Sequence, residues 1–367
     1  MQKISSQPGV LAALAAACLF GASTPLAKWL LGDINPWWMA ALLYLGSGLG
    51  LALYQLVKGA SLPRLQPGDT PWLVAAIASG GVVAPVLLMQ GLQAAPASSA
   101  SLLLNAEGVF TTLLAWWVFK ENFDCRIALG AAAIVLGAVV LGWPAQGQVA
   151  SVPLVPALCI LGACLAWALD NNFTRKISLN DAAWLASIKG LSAGCVNLTL
   201  ALWMGASWPQ AGYVGAAMVL GFAAYGVSLA LFVVGLRHLG AARTGAYFSV
   251  APFVGAVLSI AMFNEPITAR LVAAGALMAW GVWLHLTEHH AHPHSHAAMA
   301  HAHWHTHDAS HDGHHDHTHL NGLNRPAGAK NAFNPALLRG GHSHVHHHEA
   351  INHQHPHTPD AHHTHSH

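Results

Sequence analysis

Apolar and polar positions fall along this chain in long blocks rather than in a short period. Ten apolar stretches, 10–31, 37–57, 72–94, 97–119, 127–143, 153–175, 183–205, 213–236, 242–263 and 271–287, are separated by short polar turns. Each comes close to the roughly 20 apolar residues a helix needs to cross a bilayer core, so each predicts a membrane-spanning helix. The first comes after Lys3 as a signal peptide would, but it carries Pro25 and Lys28 and is long enough to span, which favours an uncleaved first helix. Ten spans leave almost no soluble domain, so function must sit between the helices or in the segment beyond the last of them. From 289 to 367 the block pattern ends in a polar tail with all the histidines except His238 and His285.

The ten stretches divide into two similar halves, 8–143 and 153–287. At an offset of 144 residues Gly91 and Leu92 meet Gly235 and Leu236, Ala97 meets Ala241, Leu114 meets Leu258, Phe119 meets Phe263, Glu121 meets Glu265 and Gly137 meets Gly281. At 147, Leu11, Leu14 and Ala16 meet Leu158, Leu161 and Ala163, and Lys28 meets Arg175. Five spans is an odd number, so the halves must cross in opposite directions. Inverted repeats of this kind are a transporter architecture, with the substrate site near the midplane. The expected fold class is an all-α membrane protein, ten transmembrane helices as two inverted five-helix repeats, followed by a disordered His-rich C-terminal tail. The basic residues set the orientation. Lys3, Lys58, Arg64, Lys120, Arg126, Arg175, Lys176, Arg237 and Arg243 fall on one side, Lys28 and Arg270 on the other. Both termini, and with them the tail, are therefore expected in the cytoplasm.

Composition agrees. Only 8% of residues are charged and 54% are hydrophobic, against about 25% charged in a typical soluble domain. The near-zero net charge argues against a nucleic-acid partner; membrane lipid and a small-molecule substrate are the partners expected, with a monomer or a homodimer both open. Cys18, Cys125, Cys159, Cys164 and Cys195 form no C-x-x-C pair, so neither a disulfide framework nor a cysteine zinc site is expected. Nothing pairs a nucleophile with a base, so no catalytic residue and no enzyme activity is expected.

Ionisable groups at bilayer depth are functional candidates by default. Asp170 and Lys189 fall at matching depth on consecutive antiparallel spans, so they are expected to pair, either as static glue or as a gate. Glu107 lies near the middle of the fourth span with no cation evident at its depth. Loss of water disfavours the charged form of a carboxyl there, which suits a residue that takes up and releases a proton. Asn105, Asn171, Asn172 and Asn197 add hydrogen-bonding groups, and Tyr247 and Ser249 offer polar tips in the ninth span. Such residues bond between helices or contact a substrate. Pro25, Pro85 and Pro252 fall inside spans, where each removes a backbone hydrogen bond; Pro252, aligned with Gly108 at offset 144, is the candidate for a mechanistic bend. Glu121 and Glu265 are expected to cap or anchor loops.

The tail alternates His with small residues: His292, His294 and His296, then His301, His303, His305 and His307, then His311, His314, His315, His317 and His319, with His344, His346 and His348 in a second cluster. Imidazole is mostly neutral at pH 7 and suits Zn, Ni, Cu and Co. The tail is too polar to fold alone, so disorder without metal is expected. Zn or Ni on the tail is the only cofactor expected; the membrane part requires none.

These features carry a family resemblance. The fourth and ninth helices each end in Phe-x-Glu (Phe119 to Glu121, Phe263 to Glu265), and a basic residue, Lys28 or Arg175, closes the first helix of each half. The run Trp-Ala-Leu-Asp-Asn-Asn-Phe-Thr-Arg-Lys at 167–176 and the segment Asn105-x-Glu107-Gly108-Val109-Phe110 complete the likeness. In these respects the chain resembles the drug/metabolite transporter superfamily, most closely its EamA branch. It departs at Phe20-Gly21-Ala22-Ser23, where many relatives have Trp before the Gly. The resemblance implies a bacterial inner-membrane carrier, usually an exporter of small metabolites or drugs by alternating access, with a cavity lined by helices from both halves. Proton coupling would give Glu107 its role. Two other readings fit the same sequence: a transporter of divalent Zn, Ni or Co fed by the tail, and a metal-sensing membrane protein without transport.

Overall fold

The computed structural model describes residues 8–59, 68–119, 125–143, 152–177, 181–239 and 241–287, together with four short segments of the tail. The first half contains α1 (Pro8–Leu30), α2 (Pro36–Lys58), α3 (Thr70–Ala76), α4 (Ala84–Ala94), α5 (Ala97–Leu103), α6 (Ala106–Phe119) and α7 (Cys125–Gly142). The second contains α8 (Leu154–Lys176), α9 (Ala182–Trp203), α10 (Ala211–Gly221), α11 (Ser228–Leu239), α12 (Ala241–Phe248), α13 (Ala251–Phe263) and α14 (Ala269–Leu286). Two π-helical segments, Ile77–Val83 and Phe222–Val227, join α3 to α4 and α10 to α11.

Among the described residues eight helices are long and apolar enough to cross a membrane, counting α3 to α4, α5 to α6 and α10 to α11 as continuous; the apolar helices Ala251–Phe263 and Ala269–His285 are shorter. The ninth expected stretch is divided between α12 and α13, and the tenth is α14. The outer surface matches a lipid setting. Leu56, Val57, Leu154, Val155 and Val219 are exposed there, and Trp29, Trp117, Trp143, Trp203 and Trp208 stand exposed near helix ends, as in the aromatic belts of membrane proteins. The protein is a multi-pass membrane protein.

Local signals fix where helices start. Asn35 accepts from the Trp37 N–H at 3.0 Å before α2, and Asp181 accepts from the Trp184 N–H at 2.8 Å before α9. Side-chain caps of this kind satisfy backbone donors that the first turn leaves unpaired. Small residues then let helices approach closely, the usual means of packing where lipid removes the hydrophobic drive between helices. A Cβ on Gly190 of α9 would lie 2.8 Å from the Gly48 backbone of α2, and one on Gly281 of α14 would lie 2.6 Å from the Gly130 carbonyl of α7. Gly190→Leu is therefore expected to cost roughly 1–3 kcal/mol of stability through overpacking. Thermal melting of the detergent-solubilised protein, followed by size-exclusion chromatography, checks this; an unchanged melting temperature would refute the close α2–α9 crossing.

The stretch His289–His357 of the tail forms a unit separate from the helices. Disorder is expected from its composition, yet four segments are paired as strands. β1 (Ala291–His296) runs antiparallel to β4 (Ile351–Pro356), and β2 (Met299–His305) antiparallel to β3 (His342–His348). The physical reason is the alternation itself: a residue type repeated at every second position matches the two-residue period of a strand.

Candidate functional site

The fourth span is broken in its middle. Its α5 part ends at Leu103, and the backbone N–H groups of Leu104, Asn105 and Glu107 each bond three residues back rather than four, at 3.1–3.3 Å. The buried Asn105 side-chain amide also donates to the Leu102 carbonyl, at 2.9 Å, so that this oxygen takes both N–H groups of one residue at the break. Glu107 then lies in the first turn of α6. The unpaired N–H groups and positive dipole end of a helix start favour a carboxylate there, which is how an acidic group is accommodated so far from the span's ends. Its Oε1 accepts from the Asn171 amide of α8 at 2.8 Å, and Asn171 also lies 3.4 Å from the Thr111 hydroxyl. Asn172, buried beside it, donates to the Ala168 carbonyl at 2.9 Å and the Thr111 carbonyl at 3.3 Å. The partner of Glu107 is thus a neutral amide, not a cation at matching depth.

The ninth span is broken at the matching place. Residues 249–250 separate α12 from α13, and Tyr247 and Ser249 are half-buried beside the gap. Here proline supplies the cause. Pro252 sits in the first turn of α13 and has no N–H to give the Phe248 carbonyl. In the first half Gly108 holds the equivalent position, so the two breaks are made by different residues.

The π segments expose more backbone. Pro85 cannot bond the Gly81 carbonyl, and the fully buried Asn197 of α9 donates to that oxygen at 2.8 Å. The Gly80 carbonyl accepts from the Tyr44 hydroxyl at 2.6 Å and from the Trp167 indole at 3.0 Å. π-bulges of this kind recur at functional sites. From the other π segment Tyr225 packs on Phe20 and on Tyr44, each with ring centroids 5.7 Å apart, and Phe20 packs on Phe248 at 5.4 Å. Phe20, Tyr44, Tyr225 and Phe248 thus form an aromatic cluster drawn from both halves. Sequence reasoning missed Phe20, Tyr44, Trp167 and Tyr225; the only signal was the Gly80-Gly81 pair ahead of Pro85.

Asp170 and Lys189 pair as their depths suggest. Lys189 Nζ lies 2.5 Å from Asp170 Oδ1 and 3.0 Å from the Thr174 hydroxyl, which itself donates to Asp170 at 2.8 Å. Asp170 also packs on Gly80, where any Cβ would overlap its carboxylate. Three consecutive residues of α8 thus turn to different tasks: Asp170 to α9 and the π segment, Asn171 to Glu107, Asn172 to the backbone.

At the far end of the fourth span Glu265 accepts from the backbone N–H groups of Ala97 and Ser98 at 2.7 and 3.0 Å and from the Ser98 hydroxyl, capping α5 as expected of a loop anchor. Glu121 lies outside the described residues. Lys28 donates to the Leu92 and Gln93 carbonyls at 2.7 and 2.8 Å, closing α4. Among the described residues no three His, Cys, Asp or Glu side chains gather as a metal site. Of the tail histidines, His292, His294, His296, His301, His303, His305, His344, His346 and His348 fall on the strands, and His307, His311, His314, His315, His317 and His319 lie outside the described residues.

Comparison with known proteins places this arrangement. Over 294 residues the chain is 26% identical to an uncharacterized transporter of Methanothermobacter thermautotrophicus, covering 75% of this chain and 85% of that protein. It is 23% identical over 277 residues to the uncharacterized transporter YyaM of Bacillus subtilis (strain 168), covering 71% and 90%. A solved crystal structure superposes with a TM-score of 0.58 at 19% identity, covering 76% of this chain and 98% of that one, and so shares the fold. The model of the EamA-like transporter family matches twice, at residues 7–143 and 154–287. The chain therefore belongs to the EamA-like transporter family, within the pattern of the drug/metabolite transporter superfamily, and is a membrane transporter.

Proposed function

We propose that this protein is a secondary-active exporter of a small organic solute, built as ten spans in two inverted five-helix repeats and driven by a proton gradient through Glu107. The observation that carries the reading is the pair of interrupted helices. The breaks at 104–105 and 249–250 fall about one repeat apart, and discontinuous helices at corresponding places in two halves are the best structural pointer to a midplane transport site. The π segments begin at Ile77 and Phe222, one repeat apart again. Helix packing is exchanged in the same way: α1 packs on α11 and α13 as α8 packs on α4 and α6, while α2 meets α9 and α7 meets α14.

A membrane-depth carboxyl at Glu107 together with the aromatic cluster of Phe20, Tyr44 and Tyr225 favours a solute with a planar or apolar body and a cationic group, since aromatic faces and a carboxylate both attract cations. Binding of that cation would release the proton, and the reverse exchange would return the site. The basic-residue distribution supports cytoplasmic termini in a bacterial inner membrane. The His-rich tail would then act in the cytoplasm as a divalent-metal buffer or sensor.

Proteoliposomes containing the full chain test this reading. An imposed pH gradient should drive uphill movement of organic amines from a panel of amines, amino acids and divalent metals, and the gradient should collapse as they move. Uphill movement of zinc, nickel or cobalt alone would replace the proposal with the metal-transport reading. Truncation after Glu288 should leave the helical unit folded, because no apolar stretch of spanning length lies beyond it. The truncated protein is expected to transport the same solutes at the same rate and to lose only its response to metal.

A further inference from the structure

The two broken spans are drawn together on one side of their breaks and not on the other. On the side of α5 and α13, α1 joins them in a close junction. A Cβ on Gly255 of α13 would lie 2.7 Å from the Gly21 carbonyl of α1 and 2.8 Å from the Ser101 hydroxyl of α5. On the other side α6 packs on α8, whereas α12 packs on α1 and α11. A Cβ on Gly108 of α6 or on Gly245 of α12 would meet nothing within 4 Å among the described residues.

The closed end holds the corner between α4 and α5, and two charged side chains from outside that hairpin grip it. Lys28, in the last turn of α1, donates to the Leu92 and Gln93 carbonyls where α4 ends. Glu265 takes the other side of the corner with both carboxylate oxygens. Its Oε1 accepts from the Ala97 N–H, and its Oε2 from the Ser98 N–H and hydroxyl. Asn264 aims it: a left-handed φ of 48° ends α13 and turns the next residue back toward α5. Beside the corner lies a cavity of about 170 Å³, lined by Pro96, Ser98, Leu141, Glu265, Thr268 and Arg270. It has room for water to replace the Ala97 and Ser98 donors if the carboxylate moves away.

We infer that Lys28 and Glu265 form a clasp that shuts the outer end of the transport path, and that solute leaves when it releases. The inference rests on the exporter reading, in which cytoplasmic termini turn this end outward and alternating access must open it. Four of the five bonds go to backbone groups, so the clasp grips the corner itself rather than one side chain. Both residues are half-buried. A bond that can be exchanged for one to water has a small net value, so such a clasp can open and re-form. The Asp170–Lys189 pair, only 11% and 17% exposed, is placed for the opposite task.

The test is thiol labelling of the full chain in nanodiscs, with the five native cysteines replaced by alanine and Ser101→Cys added beneath the clasp. Ser101 is fully buried, so a water-soluble maleimide should label that position slowly while the clasp holds. Glu265→Gln keeps the shape but turns an amide N–H₂ toward a backbone donor. Lys28→Met keeps the stem and loses both bonds. Each should speed labelling by about tenfold or more, the shift in open population expected from loss of one hydrogen bond to a charged group. Ser98→Ala removes a single bond and should act in the same direction by less, which keeps the test alive if either charge variant fails to fold. Ser187→Cys, placed instead at the buried α2–α9 crossing, is the control and should label at an unchanged rate in all three variants. Faster labelling at both positions means general loosening and overturns the clasp, as does labelling at position 101 that none of the variants changes. The measurement needs no transported solute. Faster labelling at position 101 alone, with no organic amine moved in proteoliposomes, overturns the exporter reading while the clasp stands; unchanged labelling with amine movement does the reverse.

Discussion

Glu107→Gln should abolish uphill transport while leaving the protein folded. Glutamine has the same shape, and its carbonyl oxygen can still accept from the Asn171 amide that lies 2.8 Å from Glu107 in the wild type. The helix start of α6 loses a carboxylate, a change worth a few tenths to about 1 kcal/mol near a dipole end, so stability should change little. What is lost is the ability to exchange a proton. Competition between the proton and the solute cation for one carboxyl is what links the two fluxes, and the link disappears when the proton cannot bind. Gradient-driven accumulation is therefore expected to fall by an order of magnitude or more. Solute exchange without a gradient should persist at reduced affinity, because the cation loses its carboxylate, and the pH dependence of exchange should vanish. Asn171→Leu, which removes the donor but keeps the carboxyl, should shift the pH dependence without erasing it. Wild-type accumulation by Glu107→Gln in proteoliposomes would refute proton coupling at this residue.

The spans and the candidate charges were legible in the sequence for one reason: polar residues are rare in this chain. Apolar blocks of spanning length mark themselves, and with so few charges in the interior, counting depth from a basic edge was enough to pair Asp170 with Lys189. Of the interruptions, only the one at Pro252 was legible, as the expected bend. The first break falls at Leu104 and Asn105, without a proline or glycine at the break itself, and depends on where one buried amide turns. The π segments lie within continuous apolar sequence, and only the Gly80-Gly81 pair before Pro85 hints that carbonyls there would seek outside donors. Tyr44, Trp167 and Asn197 supply those donors from three other helices. The partner of Glu107 was hidden for a related reason. Asn171 and Asn172 are neighbours on α8, about 100° apart around the helix axis, and which of them meets α6 depends on a rotation that a nearly uniform apolar helix does not reveal. In the tail the limit was different: composition argued for disorder, whereas the two-residue period favoured strands.

The Asp170–Lys189 pair should behave as a brace whose halves cannot be removed separately. Its side chains are only 11% and 17% exposed, and Thr174 bonds both. Removing one member of such a buried pair leaves the other charged and unsolvated, at a cost of about 3–5 kcal/mol, whereas replacing both with neutral groups of similar volume is often close to neutral. Asp170→Asn alone and Lys189→Met alone are therefore expected to lower folded yield and melting temperature sharply. The double variant, Asp170→Asn with Lys189→Met, should recover most of the loss. The charge-swapped pair, Asp170→Lys with Lys189→Asp, should recover less, for a steric reason specific to this site. The short carboxylate of Asp170 packs against Gly80 with no room for even one added carbon there, and a lysine stem at position 170 would push on the π segment whose carbonyl Tyr44 and Trp167 hold. Transport separates a brace from a moving gate: with a brace, the neutral double variant carries solute at the wild-type rate once its folded amount is matched. Thermal melts of the four proteins, paired with proteoliposome rates, decide the matter. Single substitutions as mild as the neutral double would show that the pair stabilises nothing.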